Sequence, residues 1–305
     1  MRIANLWWVM LGLGTAIFLL VVGLMLTAVL RRSRGTSDTV PDSSSGDTGR
    51  RWPIVGGIIL PLGVIGIVFG YSIYTLANIE NPRGDPAVEI EIVGRRWWWE
   101  VKYPDQGFTT ANEIHIPVGV PVKIKLQSAD VIHSFWVPEL HGKMDLIPTR
   151  INNITIQADS AGIYHGQCAE FCGLQHAHMG FVVVAESQDD FNSWLAVQKQ
   201  AVVAPTDPIA QQGQQVFISA GCTFCHTVRG LDDKEEDRSS IDLGPDLTHL
   251  NSRLTIAGAS LTNNRGNLAG WIVDAQHIKP GSLMPNMYVS SEDLQALLVY
   301  LETLK

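Results

Sequence analysis

The sequence predicts a multidomain membrane protein: a two-helix transmembrane hairpin, then an all-β domain, then an all-α domain. Three observations predict it. Two apolar runs without a charge, Trp7–Leu30 and Ile54–Ala77, lie near the start of the chain. Short alternating segments separated by Pro and Gly fill Ala87–Val184. Beyond a polar, proline-broken stretch, apolar residues recur at helical spacing on either side of a Cys-x-x-Cys-His motif.

Each apolar run can cross about 30 Å of hydrocarbon as a helix with some tilt, and helices are expected over about 6–30 and 54–78. A signal peptide is the alternative for the first run. The stretch is too long for one, and no small-x-small cleavage site follows before the arginines. Arg31, Arg32, Arg34, Arg50 and Arg51 surround the Ser/Thr/Gly/Asp stretch Ser33–Gly49. Arginines of this kind flank cytoplasmic helix ends. The loop 31–53 is therefore expected in the cytoplasm, with both termini and everything after residue 80 outside a plasma membrane. Trp7, Trp8 and Trp52 fall near helix ends, where indoles favour the interface. Gly56, Gly57, Pro61, Gly63 and Gly66 would let the second helix approach a neighbouring membrane helix closely.

The net charge of −8 is unevenly spread: residues 1–79 hold 6 basic and 3 acidic side chains, 80–200 hold 9 and 15, and 201–305 hold 7 and 12. An acidic outer portion argues against nucleic acid. It serves solubility, and it also suits a basic soluble partner.

Residues 168–179 read Cys-Ala-Glu-Phe-Cys-Gly-Leu-Gln-His-Ala-His-Met. Cys168, Cys172, His176 and Met179 make a soft, compact ligand set that suits copper rather than calcium or magnesium, which prefer oxygen. Cys222-Thr-Phe-Cys225-His226 is the pattern of covalent c-type haem attachment. All 4 cysteines fall inside these two motifs. Two disulfides would also use them up, but would leave His176, Met179 and His226 at metal spacing unexplained. A thiolate copper site and a haem behind membrane anchors describe an electron conduit.

Within the middle region Val88–Val93, Glu113–Ile116, Val122–Leu126 and Ile151–Ile156 alternate as strands, and the metal string falls between strands expected at Gly162–Gly166 and Phe181–Val184. This predicts an antiparallel sandwich or barrel of about 100 residues. His133-Ser-Phe-Trp-Val-Pro138, Lys143-x-Asp145-x-Ile147-Pro148 and Gly162-x-Tyr164-x-Gly166-Gln167-Cys168-x-Glu170-x-Cys172 resemble subunit II of the haem–copper cytochrome c oxidases. The resemblance covers nearly all of residues 1–190. It implies a cupredoxin-like barrel over 81–190 that holds the dinuclear copper centre CuA. Cys168 and Cys172 would bridge both coppers, and His133 and His176 would each bind one. Met179 and the backbone carbonyl of Glu170 would be weaker ligands. A mononuclear blue-copper site needs only one cysteine, so the second separates the two readings. The resemblance further implies that the Glu170 carboxylate reaches a magnesium ion shared with the catalytic subunit, and that Trp97, in Gly94-Arg-Arg-Trp97-Trp98-Trp99, accepts electrons for CuA. Trp98 and Trp99 read as packing against the barrel. Two departures stand out: Arg51-Trp52-Pro53-Ile54 lacks the family's glutamate at the cytoplasmic start of the second helix, and Thr149 replaces a glycine usual before Arg150.

Residues 191–208 are expected to be a linker, polar and proline-broken after Val197. From 209 to 305 the chain resembles a class I cytochrome c. Gly213 and Phe217 lie four apart before Cys222, and Ser290-Ser-Glu-Asp293 opens a helix whose Leu294, Leu297, Leu298 and Leu301 share a face. The resemblance implies thioethers from Cys222 and Cys225, His226 as proximal ligand and Met284, in Pro280-Gly-Ser-Leu-Met284-Pro285, as distal ligand. Met287 competes, but Met284 directly precedes the proline, as the family's ligand does. Gly244–Leu247 and Trp271–Asp274 match positions that line a haem pocket, and the acidic run Asp232–Asp237 reads as a solvated insertion. His115, His141, His165, His178, His249 and His277 are expected at the surface or behind ligands.

These readings converge on subunit II of a bacterial cytochrome c oxidase with a fused cytochrome c. It would pass electrons from a soluble donor through haem c and CuA to subunit I, where oxygen is reduced. The alternatives are the electron-accepting subunit of a CuA-type nitric oxide reductase, and a membrane-anchored electron carrier without a catalytic partner.

Overall fold

The computed structural model describes residues 2–32, 48–80, 86–231 and 243–305. Most of the expected cytoplasmic loop and all of the Asp232–Asp237 insertion lie outside the described residues. The chain divides into two compact units, Met1–Asn81 and Pro82–Lys305.

In the first unit, helix α1 spans Arg2–Arg32. The second apolar run is helical from α2 (Thr48–Ile54) through a π-helical turn (Val55–Ile59) to α3 (Leu60–Glu80). The spans Ala4–Arg31 and Arg51–Ala77 are long and apolar enough to cross a membrane, and the most apolar stretch of each holds no buried residue. Helices apolar on all sides and covered by nothing are at home in lipid. Their hydroxyls are satisfied internally: Thr27, Ser72 and Thr75 each donate to the carbonyl four residues back. No atom stands within 4 Å of the Cβ positions of Gly56, Gly57, Gly63 and Gly66, so the small-residue face is uncovered.

The second unit begins with strands β1 (Val88–Arg95), β2 (Trp98–Tyr103), β3 (Phe108–Ala111), β4 (Glu113–Pro117), β5 (Val122–Ser128), β6 (His133–Trp136), β7 (Met144–Leu146), β8 (Asn152–Ile156), β9 (Gly162–Cys168) and β10 (Gly180–Glu186). They form two five-stranded sheets, ordered β3-β2-β1-β5-β8 and β4-β10-β9-β6-β7. Most neighbours are antiparallel, but β1–β5 and β4–β10 run parallel. The sheets share one core, with Ile90, Ile92, Ile124 and Leu126 from the first against Ile114, Ile116, Phe135 and Val183 from the second. Every strand expected from alternation is present. Strands β2, β3, β6 and β7 are additional, and β2 is buried at five of its six positions, so alternation could not mark it.

Helix α4 (Gln188–Gln198) occupies the first part of the expected linker, capped by Ser187, whose hydroxyl accepts from the Asp190 amide. Phe191, Trp194 and Leu195 pack it onto the barrel, and Trp194 stacks on His115 and meets Tyr103 and Phe108 edge to face. After it come α5 (Pro208–Ser219), the ribbon β11 (Thr255–Ile256) and β12 (Leu261–Thr262), α6 (Arg265–Val273), α7 (Ala275–Ile278) and α8 (Ser291–Thr303). This portion is helical apart from that two-stranded ribbon. Helices α5 and α8 cross where Gly213 meets α8: a Cβ on Gly213 would fall 1.9 Å from the Ala296 carbonyl oxygen. Ser290 caps α8 by accepting from the Asp293 amide at 3.0 Å, as its sequence predicts.

Candidate metal centres

The first centre lies between β6, the end of β9 and the loop that follows it. His133 on β6 and Cys168 at the end of β9 are fixed by paired strands, while Cys172, His176 and Met179 sit on the loop before β10. Cys168 Sγ lies 3.8 Å from Cys172 Sγ, 3.9 Å from His133 Nδ1 and 3.3 Å from the Glu170 carbonyl oxygen. Cys172 Sγ lies 3.6 Å from His176 Nδ1 and 3.7 Å from Met179 Sδ. All six expected ligands therefore meet in one place, with both cysteines and His133 buried. All four cysteines are free thiols. A sulfur–sulfur distance of 3.8 Å is also far beyond the roughly 2.05 Å of a disulfide.

Second contacts orient the ligands. Asp130 Oδ1 meets His133 Nε2 at 2.8 Å, which places the proton on Nε2 and turns the Nδ1 lone pair to the sulfurs. Burial alone would push the His133 imidazole down, but its hydrogen bonds and charge interactions with Asp130 and Cys168 together outweigh it and the pKa is raised. Gly94 makes room for this ring: its Cβ would stand 2.7 Å from His133 Cδ2. The two thiols move in opposite directions. Cys168 is driven well below the ordinary thiol range, chiefly by its contact with Cys172, and the same contact drives Cys172 up. A neighbour that settles as a thiolate is the form in which cysteine binds metals. The Glu170 carboxylate is exposed and lies 3.6 Å from Lys143 Nζ.

Trp97, expected to accept electrons for the copper site, is enclosed. Its indole is only 9% exposed, covered by the helical portion of the same unit, where Gly258 and Gly281 approach it. Nε1 donates to the Cys172 carbonyl at 3.1 Å. A partner in solution does not reach this ring.

The second centre is a cavity of about 610 Å³ lined by Cys222, Cys225, His226 and Met284. It suits a haem on several counts. His226 Nδ1 donates to the Pro245 carbonyl at 2.8 Å, which sets the lone pair on Nε2. Burial pushes the imidazole pKa down, keeping it neutral. A Cβ on Gly244 would stand 2.7 Å from His226 Cε1, so only glycine leaves this ring its place. Arg253 is buried on the wall; its Nη2 donates to the Thr110 hydroxyl and the Asp246 carbonyl, while its Nε has no hydrogen-bond partner, an arrangement that suits an anionic group in the cavity. Arg96, Trp97 and Trp98 of the barrel form part of the same wall, so the two centres are neighbours.

Two histidines expected at the surface or behind ligands are buried instead, at 7% and 3% exposure for His115 and His249. His115 lies between Glu113 and Glu186, and His249 Nε2 contacts the Gln200 carbonyl at 3.1 Å. His165, His178 and His277 are exposed.

Residues 106–186 match the family described as cytochrome c oxidase subunit II, periplasmic domain, and residues 210–305 match cytochrome c. Cytochrome c oxidase subunit 2 of Alkalihalophilus pseudofirmus is 36% identical over 284 residues, covering 92% of this chain and 80% of the relative. That of Bacillus subtilis is 31% identical over 292 residues, covering 90% and 80%. Among solved structures, the periplasmic domain of subunit II of cytochrome oxidase of Bradyrhizobium japonicum is 31% identical, with a TM-score of 0.37, over 38% of this chain and 96% of that one.

Proposed function

The chain belongs to the cytochrome c oxidase subunit II family, and from that premise we propose how its residues carry electrons from a soluble donor to the oxygen-reducing subunit I. It is an electron-transfer component of an oxidoreductase, anchored in the membrane, with its metal-binding portion on the extracytoplasmic side and a cytochrome c domain fused behind it. We assign both apolar helices, α1 and the α2–α3 run, as membrane spans.

The observation that carries the proposal is the 3.8 Å spacing of Cys168 and Cys172 with one imidazole against each sulfur. A metal ion about 2.3 Å from a thiolate can touch both sulfurs from either side of the line joining them. Two histidines on different sulfurs then suit two ions rather than one. Cys168 and Cys172 would hold both ions, His133 and His176 would each serve one, and Met179 Sδ and the Glu170 carbonyl would complete the set. Copper shared by two thiolates would accept and return a single electron with little change in bonding. The chain's part is to hold His133 and Cys168 on paired strands and the other four donors on the loop between β9 and β10, to keep water away from buried sulfur, and to favour the thiolate form at Cys168.

In the second centre Cys222 and Cys225 would hold a haem by thioethers, with His226 and Met284 as its protein ligands. A His/Met pair raises the haem potential, as an electron donor to copper requires. Arg253 neutralises the haem's acidic edge. Trp97, closed off from solvent and bonded to the Cys172 carbonyl, serves as a relay between the two centres. For magnesium we assign the Glu170 carboxylate, which would exchange Lys143 for the ion when subunit I docks.

The test is purification of the membrane complex, with copper and haem measured and oxygen uptake followed with reduced cytochrome c. We expect two coppers per haem c and rapid, cyanide-sensitive uptake that a Cys172→Ser change abolishes. Negligible oxygen uptake from a complex with its metals intact would overturn the oxidase assignment in favour of nitric oxide reduction. One copper per haem c would overturn the dinuclear assignment.

A further inference from the structure

The loops that carry the two centres are hydrogen-bonded to each other. Lys279, just before the Met284 loop, donates from Nζ to the Trp97 carbonyl at 2.6 Å and to the Ala257 carbonyl at 3.1 Å. Gln175, beside His176, donates to the Pro280 carbonyl at 2.8 Å. The Gly180 amide donates to the Gly258 carbonyl at 2.9 Å, and the Leu254 amide donates to Glu113 Oε2 at 2.8 Å. The seam is tight. A Cβ on Gly258 would stand 2.7 Å from Lys279 Nζ and 3.0 Å from the Trp97 oxygen, and one on Gly281 would stand 3.0 Å from Leu174 Cδ2.

Lys279 is the anomaly in this seam. It is 3% exposed, and among the described residues no carboxylate comes within ion-pair reach of it. Burial pulls its pKa down to about 7. An ammonium held by carbonyls alone is costly to bury, and an apolar chain of similar length would fill the space without that cost. Stability therefore does not explain a lysine here, whereas its donation to the Trp97 carbonyl does join the methionine loop to the relay residue.

We propose that Lys279 is a positioning residue: it latches the haem-binding domain onto the copper-ligand loop through the Trp97 carbonyl, so that electrons cross between fixed sites rather than by a swinging domain. The inference rests on the haem and copper assignments above. One electron leaves the haem and one enters the copper site; Lys279 makes and breaks no bond. Trp97 then receives electrons from the haem side only, and a soluble donor delivers to the haem.

The test uses the metal-loaded complex, wild type and Lys279→Met, and two readouts. In amide hydrogen exchange, the Gly180 and Leu254 amides are expected to be slow in the wild type. In the variant they should exchange about tenfold faster, the factor that corresponds to about 1.4 kcal/mol, while β5 and α8 keep their protection. In haem-to-copper electron transfer after flash reduction, the wild-type rate should be independent of added glycerol and the variant rate should fall with viscosity. Equal exchange at Gly180 and Leu254 in the two proteins would overturn the latch. So would a wild-type rate that falls in proportion to viscosity, a measurement that stands even where the variant fails to fold. A wild type with protected amides but no copper absorbance would instead overturn the metal assignment and leave the docked seam standing.

Discussion

Trp97 Nε1 donates to the Cys172 carbonyl at 3.1 Å, and the Gly173 Cβ position is 3.2 Å from Cζ2 of the same indole. The ring thus touches the copper-ligand loop along its whole edge and faces the haem cavity with its other side. Trp97→Phe keeps an aromatic ring but removes the donor, leaving a buried carbonyl unpaired at a cost of about 1 kcal/mol. We expect copper and haem absorbance to be retained and haem-to-copper transfer to slow about tenfold, a barrier increase of about 1.4 kcal/mol. An unchanged transfer rate in flash photolysis would remove Trp97 from the route.

Gly94 is the packing partner of His133. A methyl group there would stand 2.7 Å from Cδ2 and 3.0 Å from Cγ of the imidazole, and the ring cannot retreat because Asp130 holds its far nitrogen. Gly94→Ala should therefore turn His133 away from Cys168, at an overpacking cost of about 1–3 kcal/mol. The expected result is protein with its haem c but with less than half the wild-type copper, read by elemental analysis. Full copper content would show that β1 gives way instead of the ring.

The ligands were legible in the sequence because metal chemistry demands rare residue types at short spacings, and Cys168 to Met179 satisfy both conditions within one loop. Val122–Ser128 was legible through a pattern that matches its alternating burial, and Glu113–Pro117, buried along its whole length, through its alternation of residue type. Strand β2 was not, because the helical portion covers its second face and buries even Glu100. The same cover hides Trp97, and it is why a lysine such as Lys279, solvated by default at any position, ends in the interior. Contacts between segments about 180 residues apart leave no period in the chain. The masking of His115 has the same origin: its neighbours Glu186 and Trp194 lie about 70 residues away in sequence.

Thr149 stands in a backbone conformation that glycine takes without strain. Its φ is +67°, the left-handed region that a β-branched residue occupies at a cost of about 1–2 kcal/mol. Thr149→Gly relieves the strain but loosens the unfolded chain by about 0.4–1 kcal/mol. The net expectation is a gain of up to about 1 kcal/mol, a small rise in the midpoint of thermal unfolding. A fall in the midpoint would mean that the threonine side chain makes up the strain through its own contacts.

His115 gives the outer portion a defined response to pH. Nδ1 meets Glu186 Oε1 at 2.8 Å, Nε2 meets Glu113 Oε1 at 3.0 Å, and the ring stacks on Trp194 with centroids 4.1 Å apart. Burial alone would push the imidazole down, but hydrogen bonds to the two carboxylates outweigh it and raise the pKa above the ordinary 6.5. A group whose folded pKa is raised contributes stability that is complete below its unfolded value and is lost as pH rises through its folded value. The outer portion should therefore lose thermal stability as pH climbs above about 6.5. Because Glu113 also holds the Leu254 amide, exchange at that amide should quicken over the same range. His115→Phe keeps a ring on Trp194 while leaving both carboxylates without their cation. It should be less stable at pH 6 by about 1–3 kcal/mol and should show a flatter decline above it. If the variant declines with pH as steeply as the wild type, the dependence belongs to other groups and His115 serves packing alone.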